Sequence, residues 1–307
     1  MELNPFDLQI QTTASDGKHT PTECVRMAKE NGVTTIAITD HDTIGGVAEA
    51  VAAGEQYGVE VIPGIEITAQ DHNIHILGFG IDTEYPPLVA ALAESAQGRL
   101  RGAEEMVRRL QADGFVVPWE DVLAKVKGAV VTRPHIVDVI LERPENRSKL
   151  GNVTTRDGFF REYFSDDSKY YVQRSHISAK DAIVLIHDAG GVAVWSHPPI
   201  PDFWEDCAGI AIFLGELVSS GLDGVELFGS TITEPMMQCL EGLVMRYELL
   251  ITGGSDFHYR YDPEGKPWPR SATTIGEYPT YGRSLDGILE RLGAAMEARR
   301  RAVASGG

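Results

Sequence analysis

Leu249–His258, LLITGGSDFH, is the stretch around which the rest of the chain is organised. An apolar run breaks at Gly253 and Gly254 and ends in Asp256 and His258, an acid and an imidazole two positions apart. The run has the length and composition of a buried strand. The paired glycines are expected to let the backbone turn sharply where a side chain would clash. The period-two alternation of extended chain then sends both polar side chains the same way, so that metal ions can be gripped from a single edge.

Working outward, other apolar runs end alike. Phe6–Thr12 (FDLQIQT) alternates Leu8 and Ile10 against Asp7, Gln9 and Gln11, the pattern of a first strand. The turn formers of TASDGKHTP follow, with Asp16 in the loop, and Pro21 with Glu23 opens an amphipathic helix that stops at Asn31 and Gly32. VTTIAITDHD delivers Asp40, His41 and Asp42, and Thr43 is the expected cap of a helix reaching Gly58. VEVIPGIEIT carries Glu66, NIHILGFGI carries His75, VAVWSHPPI ends in His197, and GLDGVELF carries Glu226. Strands that alternate with helices and shed polar residues at one end mark a β/α barrel whose site lies at the strands' C-terminal edge. From Pro86 to Ser178 helical patterns take over (LVAALAES, RLRGAEEMVRRLQADG, WEDVLAKVKG), followed by the aromatic-rich FFREYFSDDSKYY. The expected fold is α/β: a distorted β/α (TIM-like) barrel from residues 1–85 and 179–307, with an inserted helical cap at 86–178 serving as a lid.

Composition narrows the function. Against 45 acidic residues stand 27 basic ones, and a net charge of −18 argues against a long nucleic-acid footprint, which is held mainly by Lys and Arg. A small anionic substrate is compatible, because bound metal cations invert the local potential. Cys24, Cys207 and Cys239 are odd in number and outside any CxxC spacing, so neither a disulfide framework nor a cysteine zinc site is expected, in keeping with a reducing cytoplasmic setting. The N-terminus shows no apolar signal core, and no stretch has the length of a membrane span, so no membrane partner is expected. Nothing in the pattern sets the oligomeric state, and the Arg299–Arg301 run reads as a solvated helix end.

Among the histidines, His19, His72, His176 and His187 read as capped or solvated side chains. His41, His75, His197 and His258 read as ligands, because each follows an apolar strand and Glu66 and Asp256 join them. Asp16 gains weight only from its place at the barrel mouth. Asp40 and Asp42 flank His41 as supports, and Glu226 reads as structural or substrate-facing. Tyr163, Tyr170, Tyr171 and Arg174 are the inserted side chains expected to set specificity or to fill the insertion's own core.

The strings SDG, TDHD, GIE, HILG, RPHI, SHP and GSDFH occur in that order, and together they resemble the PHP (polymerase and histidinol phosphatase) family, especially its small phosphoesterase branch. The resemblance runs from the first strand to His258. It implies hydrolysis of phosphate esters of a small phosphorylated substrate, such as a nucleotide or nucleoside bisphosphate, with two or three divalent metal ions (Mn, Zn, Fe or Mg). It also implies that Glu66 bridges two metals, that His75 and His197 complete one of these, and that Asp256 serves the other. Asp16, His41 and His258 would hold a third. Arg133 and His135, in RPHI, match positions that contact substrate phosphate, and proton transfer would fall to Asp16 or His258.

One departure stands out. The family's first strand reads DLHxH, and this chain has DLQIQ. Gln9 and Gln11 keep the reach of imidazoles, but an amide offers a neutral oxygen, a weaker donor to transition metals. That metal is left with Glu66 and Asp256 as strong ligands. The site is then empty, or holds a harder and weakly bound ion such as Mg²⁺ or Mn²⁺, or the protein has become a ligand-binding PHP relative without turnover. Altered chemistry on a cyclic phosphodiester or a C–N bond is a further alternative.

Overall fold

The computed structural model describes residues 3–70, 74–126, 131–165, 168–170, 172, 177–198, 207–259 and 274–306. His72, Tyr171, Arg174 and His176 lie outside the described residues. The strands are β1 (Phe6–Ile10), β2 (Thr35–Ile38), β3 (Glu60–Thr68), β4 (His75–Phe79), β5 (Val192–Trp195), β6 (Gly224–Gly229) and β7 (Leu250–Gly254). They form one seven-stranded sheet in chain order. The sheet curls until its ends meet: Gln11 N donates to Phe257 O at 2.9 Å, and Phe257 N donates to Gln9 O at 3.3 Å. The product is the nearly closed α/β barrel that the strand rhythm implies.

Pairing is parallel except around β4, which runs antiparallel to both β3 and β5. Only residues 69–74 join β3 to β4. A parallel neighbour would need a crossover of a dozen or more residues, so so short a link permits only a hairpin. The sequence reading placed every ligand at a C-terminal strand end. His75 departs from it as the first residue of β4, and the reversal of β4 carries it to the edge where its neighbours end.

The helices are α1 (Pro21–Glu30), α2 (Val47–Tyr57), α3 (Pro86–Ala112), α4 (Trp119–Lys125), α5 (Arg133–Glu142), α6 (Arg147–Leu150), α7 (Arg156–Tyr163), α8 (Ala179–Asp188), α9 (Cys207–Ser219), α10 (Glu234–Tyr247) and α11 (Ile288–Gly306). Helix α1 starts where Thr20 and Glu23 satisfy each other's backbone N–H groups in a capping box, with Pro21 at the first turn. Its buried face, Cys24, Val25 and Ala28, packs with Ile36, Ile38 and Ala50 under the barrel wall. Burial of aliphatic side chains of this size is worth roughly 1.5–3 kcal/mol each. Thr43 does not cap α2: its Oγ1 accepts from Gly45 N at 3.1 Å, and the helix begins after Gly46. A local turn competes for the hydroxyl, as Thr side chains commonly do.

The chain divides into two compact units, Met1–Ala90 with Ile177–Gly307, and Ala91–His176. The second has its own core, in which Met106, Leu110, Phe115, Ile136, Ile140 and Phe159 are buried together. LVAALAES and RLRGAEEMVRRLQADG, two patterns in the sequence, belong to the one helix α3.

Gly253 and Gly254 are strand residues, and neither has a positive φ. They are small because β7 lies close to its neighbours. A Cβ on Gly254 would sit 2.6 Å from Gln9 Cβ and backbone N, and one on Gly253 would sit 3.0 Å from Phe228 Cβ. The sharp turn comes two residues later, at Asp256, with φ +53°. A second correction concerns cysteine. Cys207 and Cys239 form a disulfide across a sequence separation of 32, with Cα atoms 5.9 Å apart, and Cys24 is the free, buried thiol. Residue spacing does not register that α9 and α10 come together beside β6. No helix among the described residues is long and apolar enough to cross a membrane.

Candidate metal centre

The strand ends gather most of the expected side chains around Glu66, which is fully buried on β3. His75 Nδ1 lies 2.9 Å from Glu66 Oε1, His197 Nε2 lies 3.2 Å from the same oxygen, and the two ring nitrogens are 3.1 Å apart. Three lone-pair atoms thus converge at about the separation, roughly 3.3 Å, that a tetrahedral shell with bonds of about 2.0–2.1 Å requires. His41 Nδ1 is 3.6 Å from Glu66 Oε2. His41 and His75 stack edge to face with ring centroids 4.8 Å apart, so His41, Glu66 and His75 form one group able to hold an ion. A second group is Asp16, His41 and His258, in which His258 Nε2 lies 3.5 Å from Asp16 Oδ1. Asp256 is joined to this edge through His258, whose Nδ1 is 3.8 Å from Asp256 Oδ1.

Backbone geometry aims these groups. Asp42, His197 and Asp256, each just past a strand, have φ of +49°, +31° and +53°. Residues other than glycine held there are strained and persist where their surroundings over-determine them. The surroundings are visible. Glu226, buried on β6, accepts the His197 N–H at 2.7 Å. Asp42 accepts from Thr68 N at 2.9 Å and from Thr68 Oγ1 at 2.8 Å, tying the β2 turn to the end of β3. Asp40 accepts from Thr12 N, Thr12 Oγ1 and Ser15 Oγ at 2.7, 2.7 and 2.6 Å, which positions the loop that carries Asp16.

Ser196 and Asp7 complete the edge and were not singled out from the sequence. Ser196 Oγ donates to Glu66 Oε1 at 3.0 Å, and Asp7 accepts from the backbones of Gln9, Ser255 and Gly276, fastening β1 to the end of β7. The only signal of Ser196 in the sequence is its place in the SHP string, next to His197. Arg133 and His135 lie in the second unit. The Arg133 guanidinium sits 5.4 Å from the Phe160 ring centroid. His135 Nδ1 accepts from Thr132 N at 3.1 Å, closing the N-terminal cap of α5 and leaving Nε2 as the protonated nitrogen of the neutral ring. Tyr170 and Phe159 are buried in the core of that unit, with Tyr163 packed against it.

Burial and close neighbours shift the titration of the groups around Glu66. Burial alone would raise Glu66, but His41 and His75 beside it, with hydrogen bonds from His197 and His75, hold it well below the usual carboxylate range. Burial pushes Asp256 up to about 6 and Glu226 well above its ordinary value. His41 is pushed down to about 4 by burial, so its imidazole is neutral. Burial also works against His197, but its hydrogen bond to Glu66 and the charges of Glu66, Asp256 and Glu226 carry it up to about 9. His41 Nδ1 and Gln9 Oε1 are buried with no hydrogen-bond partner among the described residues. Lone pairs left over in an oxygen- and imidazole-lined site are what a divalent cation takes up.

The PHP domain profile matches residues 7–142. The chain is 30% identical over 259 residues to a 5'-3' exoribonuclease of Haemophilus influenzae, covering 83% of this chain and 90% of that protein. The chain belongs to the PHP family. A phosphoribosyl 1,2-cyclic phosphate 1,2-diphosphodiesterase of Eggerthella lenta is 30% identical over 83% of the chain and 94% of its own length. A 3',5'-nucleoside bisphosphate phosphatase of Chromobacterium violaceum is 30% identical over 82% and 87%. A Bifidobacterium adolescentis structure assigned as a metal-dependent phosphoesterase superposes with a TM-score of 0.76 at 30% identity, covering 96% of this chain and 98% of that one. This PHP protein is a metal-dependent phosphoesterase that uses divalent metal ions, and the leftover lone pairs of the Glu66 centre fit that requirement.

Proposed function

We propose that this PHP enzyme removes phosphate from a small nucleotide, with a nucleoside bisphosphate as the best fit, and that the Glu66 centre is where hydrolysis takes place. The observation that carries the reading is the convergence of Glu66 Oε1, His75 Nδ1 and His197 Nε2 within 2.9–3.2 Å of one another, beside the unpartnered Nδ1 of His41. On this assignment Glu66, His75, His197 and His41 hold one part of the centre, and Asp16, His41 and His258 hold another, with Asp256 alongside. When bound, divalent ions supply Lewis acidity to the phosphoryl oxygens and acidify the attacking water. The chain's own residues do the remaining work. Glu226 and Ser196 keep His197 and Glu66 in place, as outer partners of metal ligands generally do. His258 Nδ1 donates to Asp256 O at 2.8 Å, which leaves Nε2, 3.5 Å from Asp16 Oδ1, as the lone pair offered to an ion, and Asp16 beside it is the group assigned to pass a proton to the departing alkoxide.

A small substrate agrees with the net charge of −18, which works against the long phosphate backbone that a relative named as an exoribonuclease handles. The reading is tested by phosphate release with added Mn²⁺ from a 3',5'-nucleoside bisphosphate, a mononucleotide, a ribose cyclic phosphodiester and a 5'-phosphorylated oligoribonucleotide. The bisphosphate is expected to turn over with the highest kcat/KM. A preference for the cyclic diester or the oligomer would replace the substrate assignment, and no turnover on any of the four would sink it.

A further inference from the structure

We infer that Gln9 and Gln11 are hydrogen-bond donors that hold Glu66 where a cation would otherwise do so, leaving the β1 side of the centre without a metal ion. The inference rests on the ligand assignment just proposed and adds which part of the centre stays empty of metal. Gln11 Nε2 donates to Glu66 Oε2. Its carbonyl is committed too: Gln11 Oε1 accepts from the backbone N–H of His41 at 3.1 Å and from Ser15 Oγ at 3.3 Å. Which end of an amide is oxygen follows from its partners. Turning Gln11 over would set an NH₂ against the His41 N–H and a carbonyl against the Glu66 carboxylate, two repulsive contacts in place of two attractive ones. The amide is therefore locked as a bridge from β3 to the turn after β2.

Gln9 reinforces it. Its Nε2 donates to Ser196 Oγ at 2.8 Å and to Glu66 Oε1 at 3.3 Å. At this point β7 is pressed against β1: a Cβ on Gly254 would lie 2.6 Å from Gln9 Cβ. Both oxygens of a fully buried carboxylate thus already receive N–H donors, from Gln9 on β1 and from Gln11 just past it, and these donors present partial positive charge to any ion approaching from that side. Gln9 Oε1, buried and without a partner among the described residues, is the one lone-pair atom the two amides leave over. A single neutral oxygen is a poor hold on a transition metal beside imidazole and carboxylate competitors. The stronger lone-pair donors are the imidazoles of His41, His75 and His197 at the same carboxylate, and the ions belong among them.

The test counts ions. Mn²⁺ bound per chain is measured by equilibrium dialysis with elemental analysis on the full-length protein, after chelator treatment and reloading, for wild type, Gln9→His/Gln11→His and Gln11→Met. Imidazoles at positions 9 and 11 restore lone-pair donors, so the double variant is expected to hold one Mn²⁺ more per chain than wild type. Methionine at position 11 removes the N–H donor, so Gln11→Met is expected to bind as many ions as wild type and to melt at a lower temperature when metal-free. A double variant that keeps its circular dichroism spectrum yet gains no ion overturns the inference, as does a Gln11→Met chain that loses one. If the double variant does not fold, the Gln11→Met count decides alone. Wild type with no Mn²⁺ beside a double variant that gains one would uphold the inference and defeat the ligand assignment instead.

Discussion

The histidine–carboxylate clusters around Asp223 and around Glu66, both in the barrel unit, differ in how their charge is balanced. Around Asp223, just before β6, Oδ2 accepts from His187 Nε2 at 2.7 Å and from Ala193 N at 2.8 Å, while Oδ1 accepts from Arg299 at 2.8 Å. A permanent guanidinium cation is built in, and it ties α11 to the barrel. Around Glu66 the ion-pair partners are His41, His75 and His197, whose charge depends on protons, and two buried atoms are left over. The residue types are alike. A cluster whose charges balance is scaffold, and one that converges lone pairs without a fixed cation is a site that calls for one.

The sharpest way to break this contrast is Glu66→Gln. Turnover on the preferred substrate is expected to fall on the order of 10²–10³-fold; near-normal turnover would place the chemistry elsewhere. Metal removal comes next. An ion present at 100 times its Kd stabilises the native state by about 2.7 kcal/mol, so chelation should lower the melting temperature by several degrees in scanning calorimetry. An unchanged melt would mean that the Glu66 centre is satisfied without a cation. Ser196→Ala should weaken Mn²⁺ affinity roughly 10–100-fold in titration calorimetry, the usual cost of losing an outer partner. Unaltered affinity would remove Ser196 from the centre.

On the scaffold side, Asp223→Asn should leave turnover unchanged and cost about 1–3 kcal/mol in denaturant unfolding. A drop in activity alone would erase the distinction between the clusters. The smallest effect is in pH. Burial works to raise Asp223, but the His187 hydrogen bond, the Ala193 N–H and the nearby His187 and Arg299 charges leave it below its ordinary value. A carboxylate depressed in the folded state contributes stability above the unfolded value of about 3.9 and loses it as pH falls through the folded value. The stability gap between wild type and Asp223→Asn should therefore close in acid, and a gap that widens there would contradict the assignment.

Much of this was legible in the chain. Apolar runs ending in TDHD, GIE, SHP and GSDFH mark buried strands with polar ends, because alternation and length report burial directly. The long segment of helical pattern between residues 86 and 178 likewise marks where the barrel rhythm stops. Other features were present in the letters and misassigned. The six-residue link between β3 and β4 already dictates a hairpin, and the glycine pair before Asp256 signals a crowded strand as readily as a turn.

By itself the sequence determined the kind of fold, the family and the identities of the groups at the strand ends, since these follow from periodicity and from ordered short motifs. Only the tertiary structure decided which of those groups meet. It set His75 beside His197 across 122 positions, joined Cys207 to Cys239, and turned the Gln9 and Gln11 amides with N–H toward Glu66. The physical reason is that an amide or an imidazole is donor or acceptor according to its neighbours, and neighbours in a barrel come from strands far apart in the chain.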